Sequence, residues 1–123
     1  MQPEESRTDL GVVKIHKNVI ASIASLSALR IEGVRRIGGG LFRSGLAEIF
    51  GKYAVPAVRV EISKNEEVRV EIPLVVDFGF NIPEVANKVQ ESVRSGLEKM
   101  TNLSVKDINI NVQAIEKPQK EAK

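Results

Sequence analysis

The chain contains no cysteine. That excludes a disulfide framework, thiolate zinc sites, a cysteine nucleophile and thiol redox chemistry. It has a single histidine, His16, so no histidine cluster can hold a metal alone. The longest purely apolar runs are three or four residues, far short of the ~20 that a membrane-spanning helix needs. No direct membrane insertion is expected. The amino end, MQPEESRTD, is polar and net acidic, unlike a signal peptide, and predicts a cytoplasmic protein.

What is present is an ordinary globular composition. The 123 residues are 42% hydrophobic and 28% charged, enough for one domain with a core that needs no covalent staples. Residues 1–9 and 116–123 are polar and lack periodicity, so both are expected to be flexible tails around a single domain at 10–115. The formal net charge is only +2, but its distribution is uneven: between residues 11 and 40, Lys14, Lys17, Arg30, Arg35 and Arg36 stand against Glu32 alone. Such a stretch is either a solvated face or an attractor of anions, with Arg30, Arg35 and Arg36 the candidate contacts.

Hydrophobic patterning gives the elements. Gly11 to His16 reads as a short strand. Asn18 then reads as a helix cap, followed by Val19, Ile20, Ile23, Ser27 and Ile31 at three- and four-residue steps. This helix is rich in alanine and serine, which permits close approach of another element. Gly33 ends it, and Val34 to Ile37 is a short strand or an extended exit. Val58, Val60 and Ile62 alternate with Arg59, Glu61 and Ser63, and past the turn Lys64-Asn65-Glu66-Glu67, Val68, Val70, Ile72, Leu74 and Val76 alternate with Arg69, Glu71 and Pro73. That is a β-hairpin with one buried and one charged face. By the same parity Phe78 and Phe80 continue the buried face. Asn81 and Glu84 have capping-box spacing, with Pro83 in the first turn. Val85, Val89, Val93, Leu97 and Met100 form the stripe of a second helix, with Asn102 as its left-handed stop. Ile108, Ile110, Val112 and Ala114 alternate with Asn109, Asn111 and Gln113, a strand with one apolar and one carboxamide face. Two helices are too few to cover both faces of a sheet. The pattern predicts an α+β fold: a two-layer sandwich of two main helices on a mostly antiparallel sheet.

Between the halves, Gly38, Gly39 and Gly40 mark a joint. Beyond it Phe42, Leu46, Ile49, Phe50 and Tyr53 fall on one stripe of a short amphipathic helical insert. Either the domain's own core or a partner must cover that stripe, and it is taken here as the partner or oligomer interface. Arg43 and Lys52 flank it with Glu48 between them, too little positive charge for strong lipid binding.

The candidate chemistries fare poorly. Gly40 and Gly45 have phosphate-loop separation, but Leu46 and Ala47 stand where that loop needs lysine and a hydroxyl. Glu66 and Glu67 lie in a turn, where carboxylates stay solvated, and general acid–base work needs a drier setting. No enzyme activity, cofactor or metal is expected. Nucleic acid is the alternative partner, through the basic stretch at 14–36, but the chain has no GXXG loop and no paired strand aromatics of the known RNA-binding modules.

With the elements placed, a resemblance emerges. Gly11-Val12-Val13-Lys14-Ile15, Val19 to Ala24 and Ile31-Glu32-Gly33-Val34 look like the opening of the alkaline-shock protein family of Gram-positive-type bacteria, also called general-stress or envelope-stress-response proteins. Val68 to Val76, then Phe78-Gly79-Phe80-Asn81-Ile82-Pro83-Glu84-Val85-Ala86, is similar to that family's strand, glycine and "NIPEVA" helix start. Glu91-Ser92-Val93, Met100-Thr101 and Val105 to Ile115 fit its ending. The departures are the unusually hydrophobic stretch at 38–56 and Asn102, where the family often has glycine. The resemblance implies a non-enzymatic protein linked to envelope stress, a homo-oligomer in some cases, held at the membrane by a separate anchor protein. It supplies no catalytic residues.

Overall fold

The structure, a computed structural model, describes residues 4–38 and 57–117. The insert stripe of Phe42, Leu46, Ile49, Phe50 and Tyr53 lies outside the described residues.

The chain opens with a small hairpin. Strands β1 (Glu4–Thr8) and β2 (Gly11–Ile15) pair antiparallel around Asp9 and Leu10 and form a sheet of their own. The sequence predicts a frayed tail over residues 1–9. Instead, the Thr8 hydroxyl closes the turn, donating to the Gly11 carbonyl at 3.2 Å and accepting from the Leu10 N–H at 3.1 Å. Such local side-chain bonds are invisible to hydrophobic periodicity.

Helix α1 spans Lys17–Leu29. It starts one residue before the expected cap, Asn18. His16 is the N-cap instead, in an extended conformation and without a side-chain cap bond. Ile20, Ala21, Ile23, Ala24, Ser27 and Ala28 are buried, while Val19 is exposed. The buried face is thus set by the i, i+3, i+4, i+7 series from Ile20, not Val19. Helix α2 spans Ile82–Thr101. It begins as its sequence dictates: Asn81 Oδ1 accepts the Glu84 N–H at 2.9 Å, and Pro83 sits where a helix lacks an N–H partner anyway. Val85, Val89, Val93, Leu97 and Thr101 are buried. The four-residue step carries the stripe to Thr101 and leaves Met100 exposed, against the expected pattern. Asn102, at φ 62°, ends the helix in the left-handed conformation and donates its N–H to the Glu98 carbonyl. Asparagine is the next-best residue to glycine there.

The main sheet is organised around β5 (Glu67–Asp77). Strand β6 (Ser104–Glu116) runs parallel along one whole edge of it, as a strand–helix–strand crossover through α2 requires. On the other edge lie β3 (Val34–Ile37) and β4 (Arg59–Ile62), end to end and both antiparallel to β5. Gly38 donates to the Pro73 carbonyl, and Arg59 sits opposite Glu71. The chain therefore leaves this edge and rejoins it only two β5 positions later, about 7 Å away at strand rise. This explains a proline inside the central strand. The N–H that Pro73 lacks shares the edge of its carbonyl and faces Gly38 just past the end of β3, so the missing bond falls where that ladder stops.

Both helices pack on one face. Ile72, Leu74, Val68, Val70 and Val76 of β5 meet Ile20, Val89, Val93 and Leu97, all fully buried. Each such side chain contributes about 1.5–3 kcal/mol. The helices approach closely where both are small. Ser92 Oγ donates to the Ser27 carbonyl at 2.9 Å, and a Cβ on Gly96 would stand 2.5 Å from Ser27 Oγ. The expected two-layer α+β sandwich is the fold. On its open face, the register sets Arg59 opposite Glu71 and Glu61 opposite Arg69, but Arg69 binds Asp107 of β6 at 3.3 Å.

Candidate interaction surface

The sheet end where β3 begins and β5 and β6 finish gathers four charges. Arg36 of β3 reaches across β5 to Glu116 of β6 in a bidentate pair, Nη1 to Oε1 at 2.7 Å and Nη2 to Oε2 at 2.8 Å. Arg35 lies between the carboxylates, 3.3 Å from Asp77 Oδ1 and 3.5 Å from Glu116 Oε1. Two guanidinium groups thus neutralise two carboxylates across three strands. The planar guanidinium fork suits this geometry as an ammonium group would not. The hydrogen bond from Arg36 holds the Glu116 carboxyl below its usual range, and the same bond raises Arg36.

Of the three candidate anion contacts, the structure brings Arg35 and Arg36 together and gives both a carboxylate partner. Arg30 is apart from them, at the C-cap of α1. Asp77 and Glu116 are the residues that sequence reasoning missed. Their signal was present only as acidic residues ending two strands, and it becomes legible once those strands are known to be neighbours.

Beside the ion cluster the chain exposes large apolar groups. Strand β5 stops at Asp77, and Gly79 (φ 104°) turns the chain. Phe78 and Phe80 therefore do not continue the buried face as their parity predicts: Phe78 is 64% and Phe80 39% exposed. The Phe78 N–H donates to the Glu116 carbonyl at 2.8 Å, which fixes the turn against the end of β6. Ile115, opposite Val76 in the ladder, is 48% exposed. Aromatic and aliphatic groups next to an internally neutralised charge cluster suit contact with another protein.

A second feature is a polar groove of about 380 Å³ between α2 and β6, lined by Asn87, Gln90, Glu91, Arg94, Lys106 and Asp107 among others. Its charges are largely occupied. Arg94 donates to the Val105 carbonyl at 2.8 Å and lies 3.8 Å from Glu98, Asp107 binds Arg69, and Lys106 is 4.0 Å from Glu67. Among the described residues no three histidine, cysteine or acidic side chains cluster as metal ligands do. No described helix is long and apolar enough to cross a membrane.

Fold and surface together define a small two-layer α+β domain with an ion-paired, aromatic-flanked sheet end. The chain belongs to the alkaline-shock protein 23 family, described as having a cell envelope-related function, whose model matches residues 5–117. It is 36% identical over 117 residues to the uncharacterized protein YqhY of Bacillus subtilis, covering 94% of this chain and 85% of that protein. It is 29% identical over 112 residues to YloU of the same organism, covering 90% and 93%. A stress response regulator gls24 homolog of Streptococcus pyogenes is 26% identical over 103 residues, 83% of this chain and 57% of that protein. Among solved structures the fold is similar to that of a MamM CTD, with a TM-score of 0.50 and 13% identity over 80% of this chain and 96% of that one. The resemblance carried by the NIPEVA segment and its flanks is thus a family membership that spans nearly the whole chain.

Proposed function

We propose that this chain is a non-enzymatic, self-associating protein-binding domain of the envelope stress response. It works on the cytoplasmic side and is held near the membrane through an anchor protein rather than by its own insertion. The observation that carries this reading is the exposure of Phe78, Phe80 and Ile115 at one sheet end, around charges that already neutralise one another. The family's envelope-related description and the stress-regulator name of a relative support the cellular setting. The engagement of the groove's arginine and aspartate in ion pairs and backbone bonds supports a binding rather than a catalytic role. The stripe of Phe42, Leu46, Ile49, Phe50 and Tyr53 is proposed as a further contact surface on its sequence pattern.

Sedimentation velocity of the full chain over a wide concentration range tests the reading. Reversible assembly is expected, weakened by Phe78→Glu with the fold intact. A single-chain species at every concentration, or assembly indifferent to Phe78→Glu, counts against it.

A further inference from the structure

Strand β6 is the long outer edge of the sheet, and its two halves are treated differently. In the first half α2 reaches over the edge: Arg94 donates to the Val105 carbonyl at 2.8 Å and Gln90 to the Ile108 carbonyl at 2.9 Å. These bonds satisfy carbonyls that face away from β5 and block strand addition there. Charged Lys106 and Asp107 guard the same half. Beyond Ile108 the protection stops. Residues 108–115 contain no charge, proline or glycine. Backbone groups alternate between the two edges of a strand, so those of Ile110 and Val112 leave on the same side as the Ile108 carbonyl. Among the described residues, no hydrogen bond to that outer side of Ile110 or Val112 is made. Their side chains, on the helix face, also lose cover along the strand: Ile108 is 5% exposed, Ile110 and Val112 are half-buried, and Ile115 is 48% exposed. Proteins otherwise blunt such edges with charge, proline or a covering element.

We propose that a second copy of this chain pairs with β6 antiparallel, about a two-fold axis through Asn111. The proposal rests on the self-association reading and adds to the aromatic sheet end a second, separate contact. The stretch is complementary to itself. The axis sets Ile110 opposite Val112 of the other copy, so their outward backbone groups bond each other and their half-buried side chains pair on the helix face. It sets Asn111 against Asn111 on the open face, where a carboxamide supplies both donor and acceptor. No like charges meet along the seam. Pairing ends where α2 reaches over Ile108 on one side. On the other it ends at the ladder irregularity between Leu74 and Val75, which leaves Gln113 without an opposite residue, its side chain lying against Gly38. The product is one continuous sheet with the helices of both copies on the same face.

The absence of native cysteine makes the test direct. In an antiparallel pair the two residues at such an axis have Cα atoms about 4.5 Å apart, within disulfide reach. Asn111→Cys is expected to give a covalent dimer on mild oxidation, while Lys64→Cys, in the remote β4–β5 turn, is not. Asn111→Lys and Asn111→Glu, each folded by circular dichroism, are expected to weaken association at least tenfold when alone and to restore it when mixed. A wild-type chain that stays single overturns both this seam and the self-association reading, and leaves the edge to a foreign extended segment. A wild-type chain that associates, but without preferential Asn111 cross-linking or charge-swap rescue, overturns the seam alone.

Discussion

The ring of Phe80 lies over the backbone of Gly33 so closely that a Cβ there would stand 2.9 Å from Phe80 Cδ2, and 2.9 Å from Val85 Cγ2 as well. Gly33 is also at φ 100° and accepts the Asp77 N–H at 2.8 Å. One residue thus ties the exit of α1, the end of β5 and the start of α2. Its missing side chain makes room for the aromatic turn beside the Arg36–Glu116 pair.

Gly33→Ala is therefore expected to destabilise the fold on two counts, a strained positive φ and a collision with two side chains. The backbone alone costs about 1–3 kcal/mol. Urea unfolding of the variant should show a lower midpoint with an unchanged slope. Phe80→Ala in the same background should recover part of the loss by removing one collision. A variant as stable as the parent refutes the packing assigned to this corner.

Much of this corner was readable from sequence, but not its contacts. Helix α1 stops at Leu29 with Arg30 as its C-cap, short of the expected Ile31 and Gly33, and Gly33 turns the chain into β3 instead; Asn81, Pro83, Glu84 and Asn102 bound α2 as their capping chemistry requires. The alternation from Val58 to Val76 became β4 and β5, with the two faces differing in burial through β4 and the first half of β5, whereas from Ile72 to Val76 both faces are buried. The partners of Arg35 and Arg36 were unreadable because they lie 42 and 80 residues away, a relation set by strand order rather than by local pattern. The parity rule failed at Phe78 because the strand had already ended. Val19 and Met100 misled because each lies one position from a helix's true seam.

The Arg36–Glu116 pair predicts a pH effect of definite sign. Glu116 has its pKa lowered in the folded chain from the ordinary 4.5, chiefly by the Arg36 hydrogen bond. Its contribution is therefore complete above that ordinary value and is lost as pH falls through the folded value. Both groups face solvent, so the effect is small and salt-sensitive. Glu116→Gln should lower the melting temperature at neutral pH, and the difference from wild type should vanish under strongly acid conditions. A difference that persists there would mean that Glu116 acts through something other than its charge.

Nucleic-acid binding is expected to be weak. Two of the three candidate arginines already hold carboxylates, so a phosphate must compete with Asp77 and Glu116 as well as with water. Each phosphate contact on a single strand contributes a salt slope of about −0.7 in log–log terms. Titration of mixed RNA oligonucleotides at two salt concentrations should give a shallow slope and no sequence preference. Glu116→Gln should steepen the slope by freeing Arg36. Submicromolar, sequence-selective binding at physiological salt would instead favour the RNA-associated alternative.

Among the described residues, Ile20, Ile72, Leu74, Val89, Val93 and Leu97 form a fully buried core. The chain departs after Gly38, bonded at Pro73, and is back opposite Glu71 by Arg59. An edge strand interrupted in this way can carry a separate contact segment without changing the ladder on either side. If Phe50 serves a partner, Phe50→Glu leaves the melting curve within about 0.5 kcal/mol of the parent, as surface changes do, and reduces assembly. If Phe50 completed the core, the same change would bury an unpaired charge and cost several kcal/mol, a large part of the 5–15 kcal/mol typical of a domain. Thermal melting and light scattering of the one variant separate the two. The interface reading requires a folded protein of lower assembled mass. An unfolded protein, or a folded one of unchanged mass, refutes it.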